Sequence, residues 1–227
     1  MRSNHNVVEI FRAFPSFANL DDTTLDSLAN SAILRNYDSG QVIFLEGEEC
    51  AGYHIVQDGW LKAFKISTTG REQIIQFIGP GKTFNEETVV NGSKNQVTVE
   101  ALEPSKVWII QREPMLKLMD DYPAISSIIT EELATRVIHL TNLIENLALQ
   151  TVEARVARIF LEHSRGEIMN RRPWSTQAEM AARLGTVPDV LNRALRSLAE
   201  EGFIKIQRLQ IQILDRKGLE RKAMQSD

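Results

Sequence analysis

Between Asn36 and Gln111 turn-forming residues recur about every ten positions, and no other feature constrains the fold as much. The turns read "DSG" (38–40), "EGEE" (46–49), "QDG" (57–59), "TTG" (68–70), "GPG" (79–81) and "VNG" (90–92). Between them lie short runs rich in β-forming residues: "QVIFLE", "YHIVQ", "WLKAFKIS", "EQIIQFI", "QVTVEAL" and "KVWIIQ". Strands this short bury their apolar faces only by folding onto one another, so the stretch predicts an antiparallel sandwich or barrel. The glycines supply the positive φ that tight hairpins need.

Before residue 36 the pattern is helical and short. Phe11, Phe14 and Phe17 are followed by Leu20, Leu25 and Leu28, with Asp22 or Thr23 as the cap of a second helix. After Gln111 the period changes again. A helical pattern returns at Glu113 and lengthens after Pro123, where Leu133, Val137, Leu140, Ile144 and Leu147 alternate spacings of four and three. That seam, about two heptads long, suits pairing with a second helix. Ile125, Ile128 and Ile129 form another stripe, so the helix either lies on its own sheet, pairs with a second copy, or does both. "LALQTV" (147–152) holds no breaker, which lets helix run on with a bend. "VEARVARIFLEHS" is a further amphipathic helix, and "RGEIMNRRPWS" reads as a loop or small hairpin.

The segment "TQAEMAARLGTVPDVLNRALRSLAEEGF" (176–203) carries the clearest functional signal. Thr176 with Glu179 makes a capping box. Met180, Ala181 and Leu184 form one buried face, Gly185 ends the first helix where a left-handed residue is needed, and Pro188 opens the second. Leu191, Ala194, Leu195 and Leu198 form the buried face of that second helix, which stops at Gly202. A small residue at Ala181, a turn at Gly185 and a wedge at Leu191 have the spacing of a helix-turn-helix. "FIKIQRLQIQIL" (203–214) follows as two short strands, a wing. Asp189, Asn192, Arg193 and Arg196 lie off the buried face, and their side chains match cytosine, adenine and guanine edges. Thr176, Gln177 and Arg183 on the first helix are placed for phosphate contacts.

Charge agrees with that assignment. The whole chain is net −4, but residues 149–227 hold 14 Lys+Arg against 10 Asp+Glu, a net of +4. The preceding part holds 12 against 20, a net of −8. An acidic front on a basic back is expected when only the back meets a polyanion. No apolar run approaches the roughly 20 residues needed to span a bilayer, and the N-terminus lacks a signal pattern. Cytoplasmic localisation without membrane contact is therefore expected. Cys50 is the only cysteine, which excludes an internal disulfide and a four-cysteine cluster.

The order of parts resembles the CRP/FNR family of bacterial transcription regulators, from about Ile10 to Leu219. The segments that carry the resemblance are "GEECAGYHIVQDGWLKAFK", "IGPGKTF", "ENLALQTVEARVAR" and "TQAEMAARLGTVPDVLNRALRSLAEEGFI". It implies an α+β fold: an antiparallel, jelly-roll-like β-roll with a central dimerisation helix at about 123–148, within a sensing domain 1–148. A winged helix-turn-helix domain follows at 149–227. It further implies a homodimer on palindromic DNA, an RNA polymerase partner, no enzymatic activity, and a small effector held between roll and central helix. The dimer seam is expected at Leu133, Val137, Leu140, Ile144 and Leu147. The effector pocket is expected at Phe84, Asn85, Glu86, Asn95, Gln96, Leu140 and Thr141.

The pocket sequence departs from the cyclic-nucleotide members. They resemble one another in Phe-x-Gly-Glu followed about ten residues on by Arg-Ser or Arg-Thr, the Arg pairing the cyclic phosphate. This chain has "TFNEETVVNGSKNQVTV", with Asn85 for the glycine and Asn95 and Gln96 for the Arg-Ser pair. Lys94 is adjacent but lacks the bidentate fork. Cyclic AMP is disfavoured, and the effector is expected to be another small molecule. In the second helix, family members often show Ser-Arg-Glu-x-x-x-Arg where this chain has Val187, Pro188, Asp189 and Arg193. Haem stays open as an alternative through His5, His139 or His163, as does an effector-independent regulator. No metal site or catalytic group is expected: Cys50 and His54 fall across a turn, and Trp60, Phe77, Phe84 and Trp108 read as core.

Overall fold

The structure, a computed structural model, describes residues 2–164, 166–170, 172–207 and 210–224, with side chains from Asn6 onward. It divides into two compact units: residues up to Lys65 with Gln76–His139, and Ile66–Ile75 with Leu140–Asp227.

Along the chain α1 (Arg2–Arg12) and α2 (Asp22–Ser31) precede an eight-strand roll, most of which lies in the first unit. Its strands are β1 (Ile33–Tyr37), β2 (Val42–Phe44), β3 (Tyr53–Asp58), β4 (Leu61–Ile66), β5 (Glu72–Ile78), β6 (Thr83–Phe84), β7 (Thr98–Ala101) and β8 (Ser105–Ile110). They form two sheets, ordered β1-β8-β3-β6 and β2-β7-β4-β5. Ile55 lies opposite Trp108 and Ala63 opposite Val99, both in antiparallel register. The period-two alternation of side chains explains two separate cores. On β3, Val56 joins Phe44, Leu61, Ile78, Val99 and Val107 between the sheets. Tyr53 and Ile55 face the other way, into a cluster with Phe11, Leu25, Trp108, Met115, Ile125 and Ile129. Apolar packing of this density is what holds α4 (Arg112–Asp121) and the start of α5 (Pro123–Leu149) on the roll. The buried Tyr53 hydroxyl also donates to Glu132 on α5 over 2.8 Å, and burial pushes the Glu132 carboxyl upward in pKa.

Four local expectations need correction. The cap of α2 is Asp21, which accepts from the Thr24 amide at 2.8 Å, one residue before the expected cap. β1 begins at Ile33, where exposed Ile33 and Leu34 hide the alternation that marks a strand. The stretch after Phe84 contains a short helix, α3 (Glu86–Asn91). Finally, helix does not run through 147–152. Thr151 caps a new helix, α6 (Val152–His163), its hydroxyl accepting from the Ala154 amide at 3.1 Å. A Thr cap of this kind satisfies one of the amides left free at a helix start and contributes about 1 kcal/mol.

The second unit contains α6, β9 (Ile168–Asn170), α7 (Gln177–Arg183), α8 (Pro188–Glu200), β10 (Ile204–Ile206), β11 (Gln210–Ile213) and α9 (Arg216–Ala223). The wing is a three-strand sheet, β10-β11-β9; its third strand comes from the stretch expected to be a loop or small hairpin. The core joins Val156, Phe160, Met180, Leu191, Leu198 and Ile211.

Gly185 sits at φ +65°, and the Thr186 amide bonds to Ala181 O at 3.0 Å across the turn. A Cβ there would stand 2.5 Å from Leu147 Cδ2 and 2.9 Å from Gln73 Oε1, whereas Gly166, at φ +66°, faces open space. Gly185→Ala should therefore lower stability by the roughly 1–2 kcal/mol that left-handed backbone costs, plus a smaller cost for moving the flexible ends of the Leu147 and Gln73 side chains aside. Gly166→Ala should cost only that amount. Denaturant unfolding of both variants measures the difference, and equal losses would remove the crowding argument.

Candidate nucleic-acid interface and β-roll pocket

Thr176 caps α7, its hydroxyl accepting from the Glu179 amide at 3.1 Å. Gly185 then turns the chain, and α8 opens with Pro188 at its first position. Leu191, Ala194, Leu195 and Leu198 are buried on one side of α8. The 100° step per residue puts Asp189, Arg193 and Arg196 on the exposed side. Thr176 and Gln177 are exposed at the start of α7. Asn192 is half-buried, and its Nδ2 donates to Gln177 Oε1 at 3.1 Å. A groove of about 340 Å³ between α7, α8 and the wing is lined by Gln177, Asn192 and Arg196 above apolar side chains.

Arg183 is arranged differently from its expected phosphate role. Its guanidinium lies 3.3 Å from His163 Nε2 on α6, and burial lowers its pKa. Its backbone carbonyl accepts from Gln73 Nε2 at 3.4 Å.

In the β-roll, Phe84, Asn85, Glu86 and Asn95 are all buried. Phe84 stacks on His54, with ring centroids 4.7 Å apart. Asn85 has φ +71°, a left-handed conformation that costs glycine little and asparagine less than most residues. Its Nδ2 donates to Gly52 O at 3.0 Å and to Asn95 Oδ1 at 3.3 Å. Asn95 Oδ1 also accepts from the Ala51 amide, while its Nδ2 donates to Glu49 O at 3.1 Å. The two amides thus satisfy one another and the 45–52 turn. Glu86 is held by Arg136 of α5, Nη2 to Oε1 2.8 Å, with both side chains largely buried. Gln96 points outward, and Lys94 is exposed near Glu49 at 3.9 Å. Leu140 and Thr141 are exposed on α5 and belong to the second unit.

These residues do not fit a cyclic phosphate. A buried phosphate needs a matching cation or a ring of free donors, but the amides at 85 and 95 are bonded within the chain and none of the expected pocket residues is a cation. The Glu86–Arg136 and Tyr53–Glu132 contacts escaped sequence reading, although Glu132 and Arg136 stand four apart and share a helix face.

The histidines are dispersed. His54 is buried, its Nδ1 2.9 Å from Gly52 O, and burial lowers its pKa to about 4. His163 is engaged by Ile159 O and Arg183, burial lowering its pKa first and the neighbouring charge second. His139 is exposed on α5, and the side chain of His5 lies outside the described residues. Among the described residues no group of three His, Cys, Asp or Glu could hold a metal, and no helix is long and apolar enough to cross a membrane.

Residues 34–122 match the cyclic nucleotide-binding domain family, and residues 154–222 match the Crp-like helix-turn-helix domain family. The chain is 26% identical over 195 residues to the cyclic AMP receptor protein of Thermus thermophilus, covering 85% of this chain and 88% of that protein. It is 23% identical over 221 residues to the CRP-like cAMP-activated global transcriptional regulator of Mycobacterium tuberculosis, covering 95% and 99%. FixK2 from Bradyrhizobium japonicum shares the fold, with a TM-score of 0.75 at 22% identity over 86% of this chain and 99% of that one. With a cyclic nucleotide-binding domain match followed by a Crp-like helix-turn-helix match, the chain is similar along most of its length to transcription regulators of the CRP type.

Proposed function

We propose that the protein is a cytoplasmic homodimer that binds a palindromic DNA site through α8, engages RNA polymerase there, and responds to a small effector other than cyclic AMP. The observation that carries this reading is the division of α8. Its Leu191, Ala194, Leu195 and Leu198 face is buried, while Asp189 and Arg193, in its N-terminal half, are exposed. Dimerisation is supported by α5, where Val137 and Ile144 are 63% and 66% exposed on the apolar seam. Leu140 lies between them, and Leu133 and Leu147, at either end, are half-buried. A second copy would cover that stripe, and two recognition helices related by a twofold axis would read inverted half-sites.

A second reading is favoured by the Asn85–Asn95 pair: an effector-independent regulator in which these two pocket amides find their partners within the chain. Operator binding with and without a metabolite library separates the two.

Three outcomes are expected. Arg193→Ala should lose discrimination at one base pair per half-site by about 1–3 kcal/mol; binding measured against single-site operator variants checks this, and an unchanged profile removes Arg193 from base reading. Ile144→Asp places a charge on an exposed seam position without disturbing either core. It should shift sedimentation from dimer to monomer and weaken operator binding. Saturating cyclic AMP should leave the melting temperature unchanged, since ligand that binds the folded state raises it by mass action; a saturable rise would overturn the pocket assignment.

A further inference from the structure

We infer that Gln177 is a positioning residue for base readout: its side-chain oxygen holds the Asn192 amide in the orientation that reads DNA. The inference rests on the DNA-reading assignment of α8 and adds the device by which one of its readers is fixed.

Gln177 is the first residue of α7 and Asn192 the fifth of α8, so only the turn at Gly185 brings them together. Asn192 Nδ2 donates to Gln177 Oε1 at 3.1 Å. An asparagine amide carries two donors and one acceptor oxygen. The bond uses one N–H and leaves the other N–H and Oδ1, the donor–acceptor pair that matches the N7 and N6 edge of adenine. A free asparagine must give up rotamer freedom when it meets a base; one already anchored has lost that freedom on folding. The pair also stands on the rim of the 340 Å³ groove, above Met180, Leu195, Ile206 and Ile211. This apolar floor offers Asn192 no alternative polar partner on that side. Arg196 lines the same groove and supplies positive charge beside the amides. A phosphate contact by Gln177, the expectation from its helix position, would act on every sequence alike. An anchoring contact acts on one base pair.

The test uses the full chain, with binding measured on the selected operator, its single-site variants and scrambled duplex. Gln177→Ala and Asn192→Ala should each lose selectivity at the same base pair, by roughly three- to tenfold, a few tenths to one log unit of the preference expected for a good base contact. The double variant should lose no more than the larger single loss, because the two residues act as one unit. Gln177→Glu keeps an accepting oxygen. It should restore selectivity at that base pair while weakening all duplexes through repulsion from phosphate. Uniform weakening by Gln177→Ala, additive losses in the double variant, or losses at different base pairs would overturn the inference and leave DNA reading by α8 intact. If the parent protein itself shows no preference for operator over scrambled duplex, both fall together. Thermal melts of the variants matching the parent exclude a folding defect, since Gln177 is exposed at the helix start.

Discussion

The angle between α7 and α8 depends on Gly185. Its left-handed backbone lets the Thr186 amide reach Ala181 O, and its missing side chain leaves room for Leu147 and Gln73. Small Ala181 lets α8 approach, and Leu191 fills the angle between the helices with no exposed surface. From this packing follow the outward direction of Arg193, the meeting of Gln177 with Asn192, and the groove bounded by the wing. Interiors at crystal-like density tolerate little displacement, so the outer face of α8 inherits its geometry from the buried one.

The β-roll applies the same principle to a different end. A left-handed position and a buried polar position are kept, but asparagine occupies both, and each amide finds its partners within the chain. One oxygen of the Glu86 carboxylate, Oε1, is paired with Arg136, while its buried Oε2 has no hydrogen-bond partner. Buried polar groups are costly when unpaired and stabilising when their hydrogen bonds are complete.

Much of the fold was legible because it follows from local rules. Turn residues at regular intervals foretold the roll, a change to helical period foretold α5, and Thr176, Gly185 and Pro188 marked the ends of α7 and α8. What escaped had weak or ambiguous local signals. β1 lacks alternation because Ile33 and Leu34 are exposed. α6 starts at a cap rather than a breaker. β9 has only three residues and is specified by its pairing with β11.

By itself the sequence determined the order of the main elements, the eight-stranded region apart from β1, the long α5 and the α7–α8 pair with its buried face, because periodicity and capping act over a few neighbouring residues. Tertiary structure alone decided which polar groups meet. Asn85 and Asn95 are ten residues apart, Gln177 and Asn192 fifteen, and Glu86 and Arg136 fifty. Contacts over such separations leave no local pattern, since they form only after burial has brought distant backbone segments within hydrogen-bond distance.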